Sequence, residues 1–363
     1  MTSADAVLTV DLDAIAANYR TLRALPGGMA CAAVVKANAY GLGATEVSRR
    51  LVDEGCRTFF VATLDEALGL RQAIGATSRI FVLNGLVPGS EACAIDADIT
   101  PVLNSLPRLS DWRREAVRVG RRLPAALQVD SGMTRLGIDA RDLATLADDP
   151  AALAGLELVL LMSHLACADE PSHPANAFQA DTFRQIRSLF PGVPASLANS
   201  SGMFLGSNFQ MDLTRPGAAL YGINPTPLAR NPMRTVVTLQ ARVIQTREVP
   251  AETAVGYGHT YRADAATRLA VLGIGYADGW RRDLNLGARF EGVKLPRAGL
   301  VSMDSFIVDG SACPEDGLAD GAWVNLLDSA QTVDDAARAA GTIGYEILCG
   351  IGPRVKRRYS TQS

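Results

Sequence analysis

Hydrophobic and polar positions repeat in regular units through the first two thirds of the chain. Short runs rich in Val, Ile, Leu and Phe are each followed by an amphipathic stretch, for example residues 44–54 and 64–73. Apolar runs that alternate with helices are typical of parallel strands buried on both faces. Eight such runs occur, at residues 32–36, 58–61, 79–83, 99–103, 125–129, 158–162, 195–198 and 211–215.

Polar side chains stand at or just after the carboxyl end of seven of these runs. They are Lys36, Asn84, Asn104, Asp130, His164, Asn199 and Arg215. A single residue of this kind is an ordinary turn or cap residue, but seven in the same phase indicate a shared position. In a closed barrel the carboxyl ends meet at one mouth, where active sites are built. The pattern therefore predicts an α/β fold with a (β/α)₈ barrel of TIM type rather than a doubly wound sheet.

The pattern changes after about residue 232, where helix signals become rare until residues 333–340. The runs that resemble strands are 235–247, 269–273, 289–295, 300–308 and 322–326. We therefore expect a barrel over residues 1–231 and a mostly antiparallel β-domain over residues 232–363. The run at residues 6–10 precedes the first barrel strand and is a candidate to pair with the β-domain. The basic residues near 354–358 are expected to form a solvated tail or a dimer edge.

Composition and charge argue against several classes of protein. The chain has 363 residues, of which 48% are hydrophobic, so a large core is expected. A net charge of −3 offers no basic field for nucleic acid, and no apolar run is long enough for a membrane span. The six cysteines and three histidines lack metal-ligand spacing, so we expect no metal and reduced, mostly buried thiols. Residues 1–13 show no signal-peptide pattern, so a cytoplasmic location is expected.

The strongest local signal is the segment AVVKANAYGLG at residues 33–43. It places Lys36 at the end of a buried run, where an ammonium group loses hydration. The ordinary interpretation is a lysine that extends its charge to solvent at the barrel mouth. A desolvated lysine instead suits Schiff-base chemistry, which needs a neutral amine to attack an aldehyde. Tyr40, Gly41 and Gly43 follow in a turn suited to close approach to a phosphate.

Two further segments are candidates for phosphate binding. Residues 199–202 (NSSG) follow the seventh predicted strand and open a helix-like stretch, and residues 215–218 (RPGA) follow the eighth. Loops at these two places in a barrel often bind phosphate through backbone N–H groups and a helix N-terminus. An isolated Asn-Ser-Ser-Gly is more often a helix cap, so it is the position in the barrel that favours a phosphate site.

Nine segments, in order along nearly the whole chain, make the sequence resemble the alanine racemases. They are AVVKANAYGLG (33–43), DSGMTRLG (130–137), SHLACAD (163–169), NSSG (199–202), TRPGAALYG (214–222), GYGHTY (256–261), GIGYADGW (273–280), VSMDS (301–305) and GYEILCGI (344–351). Each segment alone is a weak signal, but the full ordered set is specific. The resemblance implies a pyridoxal 5′-phosphate (PLP) enzyme that interconverts L-alanine and D-alanine, supplying or consuming D-alanine.

The resemblance also implies a two-base mechanism in a shared site. Lys36 resembles the lysine that carries PLP and acts as one base, and Tyr257 resembles the opposing base. In the family this tyrosine comes from the partner subunit, which implies a head-to-tail homodimer. The other matches to cofactor-binding positions are Tyr40, Arg135, His164, Asn199, Ser200, Arg215, Gly217 and Ala218. The matches to substrate-binding positions are Arg135, Tyr276 and, from the partner subunit, Met303 and Asp304.

Two of the implied roles also follow from the chemistry of the side chains. Arg215 matches the residue that faces the pyridine nitrogen, and an arginine stays charged, so that nitrogen would hold no proton and PLP would be a weaker electron sink. A phenol with a pKa of about 10 is a poor base at neutral pH. His164 beside Arg215 is expected to lower the pKa of Tyr257 by favouring the phenolate.

Three positions differ from the family pattern. Gln128 stands where many members have a lysine that becomes carbamylated, and we expect it to hydrogen-bond the Arg135 guanidinium without supplying charge. Pro353 replaces a tyrosine that helps bind phosphate in some members, and Leu300 replaces an arginine near the entrance. These changes leave both implied bases in place, but they bear on substrate breadth and PLP affinity.

Three alternatives remain open from the sequence. A non-catalytic PLP-binding barrel protein shares the lysine strand and the phosphate loops but lacks a C-terminal β-domain. A barrel-type PLP decarboxylase uses a cysteine near an acidic residue in its second domain, for which residues 313–315 (Cys-Pro-Glu) are the nearest candidate, although they resemble a turn. A racemase of wider range would accept serine or larger amino acids.

Overall fold

The computed structural model describes residues 4–25, 27–149, 151–314 and 317–361. Parallel strands follow one another along the first part of the chain, and most are separated by helices. The barrel strands are β2 (Ala30–Cys31), β3 (Ala33–Val34), β4 (Thr58–Val61), β5 (Arg79–Val82), β6 (Thr100–Leu103), β7 (Leu123–Gln128), β8 (Leu156–Met162), β9 (Ala195–Ser196) and β10 (Leu213–Thr214). β2 and β3 are two segments of the first barrel strand, so the eight predicted runs are all present.

Hydrogen bonds between the last and first strands close the barrel. β3 to β9 form one parallel sheet in chain order, and β10 pairs in parallel with β2. Beside β9, the amides of Asp212 and Arg215 donate to the carbonyls of Ala195 and Ala198 at 3.0 Å. The predicted (β/α)₈ barrel is therefore confirmed, and the carboxyl ends of its strands share one mouth.

The barrel helices begin at capping signals in the sequence. Thr63 accepts a hydrogen bond from the Glu66 amide, and the Glu66 carboxylate accepts from the Thr63 amide, which forms a capping box. Asp11 and Asp139 cap two other helices with their carboxylates. The helices are α1 (Leu12–Arg23), α2 (Lys36–Tyr40), α3 (Ala44–Asp53), α4 (Leu64–Ile74), α5 (Glu91–Asp96), α6 (Leu106–Val119), α7 (Ala140–Asp148) and α8 (Pro174–Arg187). The two predicted helices at 44–54 and 64–73 correspond to α3 and α4.

The remaining strands form a mostly antiparallel β-domain. They are β1 (Ala6–Asp11), β11 (Val237–Val249), β12 (Ala254–Val255), β13 (Tyr261–Arg262), β14 (Thr267–Leu272), β15 (Ala288–Phe290), β16 (Val293–Leu295), β17 (Phe306–Asp309), β18 (Trp323–Leu327) and β19 (Lys356–Ser360). The helices of this part are α9 (Val333–Ala339) and α10 (Gly344–Gly350). β1 pairs antiparallel with β11 and parallel with β19, so the predicted pairing of the N-terminal run with this domain is confirmed.

Several expectations in the β-domain were wrong in detail. The predicted strand at 289–295 is a hairpin, because Glu291 and Gly292 adopt left-handed φ angles of 48° and 86° between β15 and β16. Of the run 300–308, only the end is a strand, because Ser302 and Ser305 form a hydrogen-bonded turn. The basic residues near the C-terminus are not a solvated tail: they form β19, which has β1 as its neighbour.

One hydrophobic core continues from the barrel into the β-domain. It includes Phe59, Phe60 and Phe81 at the barrel and Phe306 in the β-domain, all buried. Of the six cysteines, which are all unpaired, Cys31, Cys56 and Cys313 are buried and the other three are not. In the described part of the chain, no helix has the length and apolar character needed to cross a membrane.

Candidate active site

A cavity of about 540 Å³ opens where the barrel strands end. Nine of the thirteen predicted site residues line it, namely Lys36, Tyr40, Arg135, His164, Asn199, Ser200, Arg215, Gly217 and Ala218. Asn84, another of the polar residues predicted at strand ends, also lines the cavity. Asn104 and Asp130 do not, and their side chains form hydrogen bonds with nearby backbone groups. The barrel thus brings together residues that are up to 182 positions apart in the sequence.

The segment that carries Lys36 has an unusual backbone. Ala37, Asn38, Ala39 and Tyr40 all have φ between 52° and 56°, so α2 is a left-handed turn. Such a conformation costs roughly 1–2 kcal/mol per residue for L-amino acids. Runs of strained backbone of this kind persist where the surrounding structure holds them, often at functional sites. The left-handed conformation could not be predicted from the residue types, because none of the four residues is glycine.

The Lys36 amine lies in an environment that favours its neutral form. Burial is the largest cause of the lowering of its pKa, and the positive charge of Arg135 adds to the effect. Cys349 and Glu66 act weakly in the opposite direction. A lysine with a lowered pKa is a stronger nucleophile at neutral pH than a solvated one, because more of it is unprotonated.

The two predicted phosphate loops meet beside Tyr40. Ser200 Oγ accepts hydrogen bonds from the amides of Gly217 and Ala219 at 3.1 and 3.2 Å, which ties the two loops together. A Cβ at position 217 would overlap the phenol oxygen of Tyr40, so only glycine permits this approach. The helix-like stretch expected after residues 199–202 is only a 3₁₀ turn, Gly202–Phe204. Asn199 Oδ1 caps it by accepting from the Gly202 amide at 2.9 Å.

Arg215 is a buried cation without an ion-pair partner in the described ranges. Its guanidinium donates to Ser196 Oγ and, at 2.5 Å, to the carbonyl of Ser163, and it lies 3.4 Å from Nδ1 of His164. Burial lowers its pKa to about 9, so the group is still charged at neutral pH. A buried charge of this kind favours a ligand that presents an electron pair or a negative charge to it.

His164 is neutral at physiological pH. Burial and the positive charges of Arg215, Arg135 and Lys36 lower its pKa to about 3. The pair expected to favour the phenolate is therefore a charged arginine beside a neutral imidazole. Any electrostatic stabilisation of a nearby phenolate must come from Arg215, with His164 acting through its hydrogen bond.

Arg135 reaches the cavity on a loop shaped by Asp130. The Asp130 carboxylate accepts hydrogen bonds from the amides of Gly132, Met133 and Thr134 at 2.9–3.1 Å. The expected hydrogen bond from the Arg135 guanidinium to the Gln128 side chain is absent among the described residues. Gln128 Nε2 instead donates to the Leu136 carbonyl at 3.1 Å, which supports the loop backbone. The guanidinium of Arg135 has no hydrogen bond to any residue that the structure describes.

The other four predicted site residues lie outside the cavity of their own chain. Tyr257 is in a 3₁₀ turn of the β-domain and is 66% exposed. Met303 and Tyr276 lie on adjacent loops, because the Tyr276 amide donates to the Ser302 carbonyl, and both are largely exposed. Asp304 forms an ion pair with Arg354 at 2.8 Å. In the described part of the chain, none of these four residues lines the cavity that holds Lys36.

Comparison with known proteins identifies the family. Residues 10–225 match the model of the alanine racemase N-terminal domain, and residues 236–359 match that of the C-terminal domain. The chain belongs to the alanine racemase family. It is 56% identical to a catabolic alanine racemase of Mesorhizobium japonicum, over 98% of this chain and 94% of that protein. A catabolic alanine racemase of Agrobacterium fabrum is 50% identical, over 97% and 91% of the two chains.

Solved structures of the alanine racemase family share the fold. The alanine racemase of Bartonella henselae, solved with covalently bound pyridoxal phosphate, superposes with a TM-score of 0.94 at 41% identity, over 98% of this chain and 100% of that one. The enzyme of Streptomyces lavendulae gives a TM-score of 0.93 at 36% identity, with 100% and 99% covered. The predicted family and the enzyme class, a racemase, are thereby confirmed.

The alternatives find no support. Both domains of the alanine racemase family are matched, which a barrel protein without a β-domain would not show. Cys313, the cysteine considered for a decarboxylase, is buried outside the cavity lining, and its carbonyl accepts a hydrogen bond from Arg268. Glu315 lies outside the described residues. Leu300 and Pro353, which depart from the family pattern, are also outside the cavity lining.

The sequence did not point to two titratable side chains of the cavity, Tyr345 and Cys349, although their segment resembles the alanine racemases. They lie four residues apart on α10 and therefore share one face of that helix. The Tyr345 ring is 5.8 Å from that of Tyr40. An i, i+4 pair within 344–351 was the available signal, but only the packing of α10 on α2 shows that this face meets the cavity.

The burial of neutral His164 predicts a pH-dependent stability. Its pKa is about 3 in the fold and near 6.5 when unfolded, so the unfolded chain binds more protons between these values and stability falls as pH falls through this window. In the wild type, this effect should lower the free energy of unfolding by about 2 kcal/mol between pH 6.5 and pH 5. We expect His164→Gln to abolish this part of the pH dependence. Denaturant titration at both pH values measures this, with His259→Gln, an exposed site, as the control. An equal pH dependence in wild type and His164→Gln would contradict it.

Proposed function

We propose that this chain racemises alanine with PLP bound to Lys36, and that two chains form each active site. The observation that carries the proposal is the cavity in which a lysine of lowered pKa faces a buried, unpaired arginine and two joined phosphate-type loops. The relatives named alanine racemase support alanine as the substrate. We also propose that residues 1–231 form the barrel, apart from β1, which pairs within the β-domain, that residues 232–363 form the rest of the β-domain, and that the protein is cytoplasmic.

The residues of the cavity fit PLP. At one end, the absence of a Cβ at Gly217 leaves room beside Tyr40, and Ser200 together with the backbone of Gly217 and Ala218 would hold the phosphate. At the other end, Arg215 would meet the pyridine nitrogen as a hydrogen-bond donor, which offsets the cost of burying its charge. The solved relative from Bartonella henselae carries its pyridoxal phosphate covalently, which agrees with attachment to a lysine.

Lys36 has two tasks in this proposal, attachment of the cofactor and proton transfer at Cα. PLP, once bound, would make the α-proton of an attached amino acid acidic. Lys36, whose lowered pKa favours the neutral amine, would remove or return a proton on one face of Cα. By resemblance this face belongs to D-alanine. Arg215, as a charged hydrogen-bond donor, would keep the ring nitrogen unprotonated, which would limit competing reactions such as transamination.

Tyr257 of the partner subunit supplies the base on the opposite face, which serves L-alanine. Its exposure in the single chain supports this, because a large aromatic side chain held in a 3₁₀ turn is a typical interface residue. The positive charge of Arg215 favours the phenolate form of Tyr257 in the assembled site. Neutral His164, beside Arg215, acts through its hydrogen bond. Met303, Asp304 and Tyr276 of the same β-domain would form the substrate-side wall and entrance, with Arg135 contacting the substrate carboxylate.

Attachment of the cofactor to Lys36 can be tested directly. We expect the purified chain with PLP to be yellow, and borohydride to leave the label on Lys36 because its neutral amine faces the cavity. Peptide mapping by mass spectrometry measures the position. The control is Lys356→Gln, in a strand away from the cavity lining, which should label normally. A label on another lysine would refute the assignment.

A head-to-tail dimer predicts complementation between two inactive variants. Mixing Lys36→Ala with Tyr257→Phe chains should restore activity, because one site of the mixed dimer then carries both lesions and the other carries neither. At complete exchange, about half of the dimers are mixed, and each has one intact site. Racemisation is measured after subunit exchange has been verified with differently tagged chains. If verified exchange gives no recovery, each site is built within one chain.

The two faces of Cα predict different effects of Tyr257→Phe on the two enantiomers. Racemisation should fall by roughly two to four orders of magnitude, the usual contribution of a positioned acid–base group. Deuterium from D₂O should still enter D-alanine through Lys36, whereas L-alanine should exchange poorly, as NMR can measure. PLP binding serves as the internal control and should barely change. Equal losses for both enantiomers would favour Lys36 as a single base.

A further inference from the structure

Glu66 makes a contact that its role in the helix cap does not require. One carboxylate oxygen, Oε2, accepts from the amide of Ala62 at 2.7 Å and that of Thr63 at 3.4 Å, at the start of α4. The other, Oε1, accepts from the amide of Ala37 at 2.7 Å. Ala37 is the residue after Lys36 and the first of the four left-handed residues. A single side chain therefore joins the second barrel strand to the backbone of the lysine turn.

The remaining contacts of this turn do not include the amide of Ala37. Asn38 Oδ1 accepts from the Ala44 amide at 2.8 Å, and the Asn38 carbonyl accepts from the Gly43 amide at 2.9 Å, so both fix the exit of the turn. At the entrance, the Ala39 amide donates to the Val35 carbonyl at 2.9 Å, and the Ala37 amide, directly after Lys36, donates to Glu66. Because the direction of the Lys36 side chain depends on the backbone at residues 36 and 37, the entrance of the turn sets where the amine lies.

We propose that Glu66 is a positioning residue for Lys36, which fixes the strained turn so that the amine meets the cofactor and Cα. This inference rests on the proposed attachment of PLP to Lys36. Glu66 does not line the cavity and touches no reacting group, so it acts on Lys36 through the backbone and, more weakly, through its charge, which raises the pKa of the amine. A carboxylate suits the task because it accepts at both oxygens, whereas an amide presents an N–H group to one of the two donors.

Variants of α4 separate positioning from helix capping. Glu66→Gln keeps the size of the side chain but loses one acceptor, and Glu66→Asp keeps the charge but is too short to reach both amides. Thr63→Ala removes the other half of the capping box and leaves the Ala37 contact in place. Asp65→Asn removes a charge from the exposed neighbouring position. The last two are matched controls.

The primary measurement is the rate at which saturating PLP attaches to the full chain after the cofactor has been removed, followed by visible absorbance. We expect attachment to be about tenfold slower in Glu66→Gln, the equivalent of one lost hydrogen bond to a charged group, and slower in Glu66→Asp. Both controls should stay within about twofold of wild type. Hydrogen exchange of the peptide containing Ala37 should become faster only in the two Glu66 variants. With alanine, kcat should fall and KM should not.

The outcomes distinguish this inference from the proposed function. If wild type attaches PLP at Lys36 but Glu66→Gln attaches it at the same rate with unchanged exchange at Ala37, the positioning role is wrong and the proposed function stands. Equal slowing in Thr63→Ala assigns the effect to the helix cap and also overturns the inference. If Glu66→Gln fails to fold, Glu66→Asp decides by the same criteria. Failure of wild type to attach PLP at Lys36 would refute the proposed function itself.

Discussion

The burial of two basic groups at one barrel mouth is the constraint on which the rest of the site depends. Arg215 is held among carbonyl and hydroxyl oxygens, and in the described ranges no carboxylate pairs with it. Lys36 is also desolvated, and its charge is disfavoured further by Arg135. Removing a cation from water without a counter-ion is costly unless the group neutralises or a ligand compensates. The pKa of Lys36 is lowered, which favours the neutral, nucleophilic amine, whereas Arg215 keeps its charge for a ligand.

The same constraint explains why His164 is neutral and why its neutrality matters. A second cation beside Arg215 would repel it at the 3.4 Å separation observed. The low pKa of His164 avoids this, and the imidazole can then accept a hydrogen bond from the guanidinium at Nδ1. The site therefore presents one fixed positive charge at this end rather than a charge that varies with pH.

Sequence patterns predicted the parts of the fold that depend on burial and chain direction. Eight apolar runs, seven of them with a polar residue at the carboxyl end, are enough to specify a barrel and its mouth, because parallel strands converge there. The same patterns did not predict β19, because its basic residues resemble an exposed segment rather than a strand paired with β1. They also did not place α10 at the cavity, because this helix reaches it only through tertiary packing. Tyr345 was missed for that reason. Glu66 was not singled out from the sequence, and its contact with Ala37 depends on the handedness of a turn that no local residue signals.

The left-handed turn after Lys36 also ties the β-domain to the chemistry of the barrel. Arg357, in β19, donates to the carbonyl of Gly41 at 3.2 Å. A Cβ at Gly41 would stand 2.8 Å from the Leu348 carbonyl of α10, so this helix packs directly on the turn. A Cβ at Gly43 would overlap the phenol of Tyr359. These contacts hold the exit of the turn while Glu66 holds its entrance. The strained backbone is therefore stabilised from both domains, and the lysine depends on the β-domain of its own chain as well as on the tyrosine proposed from the partner.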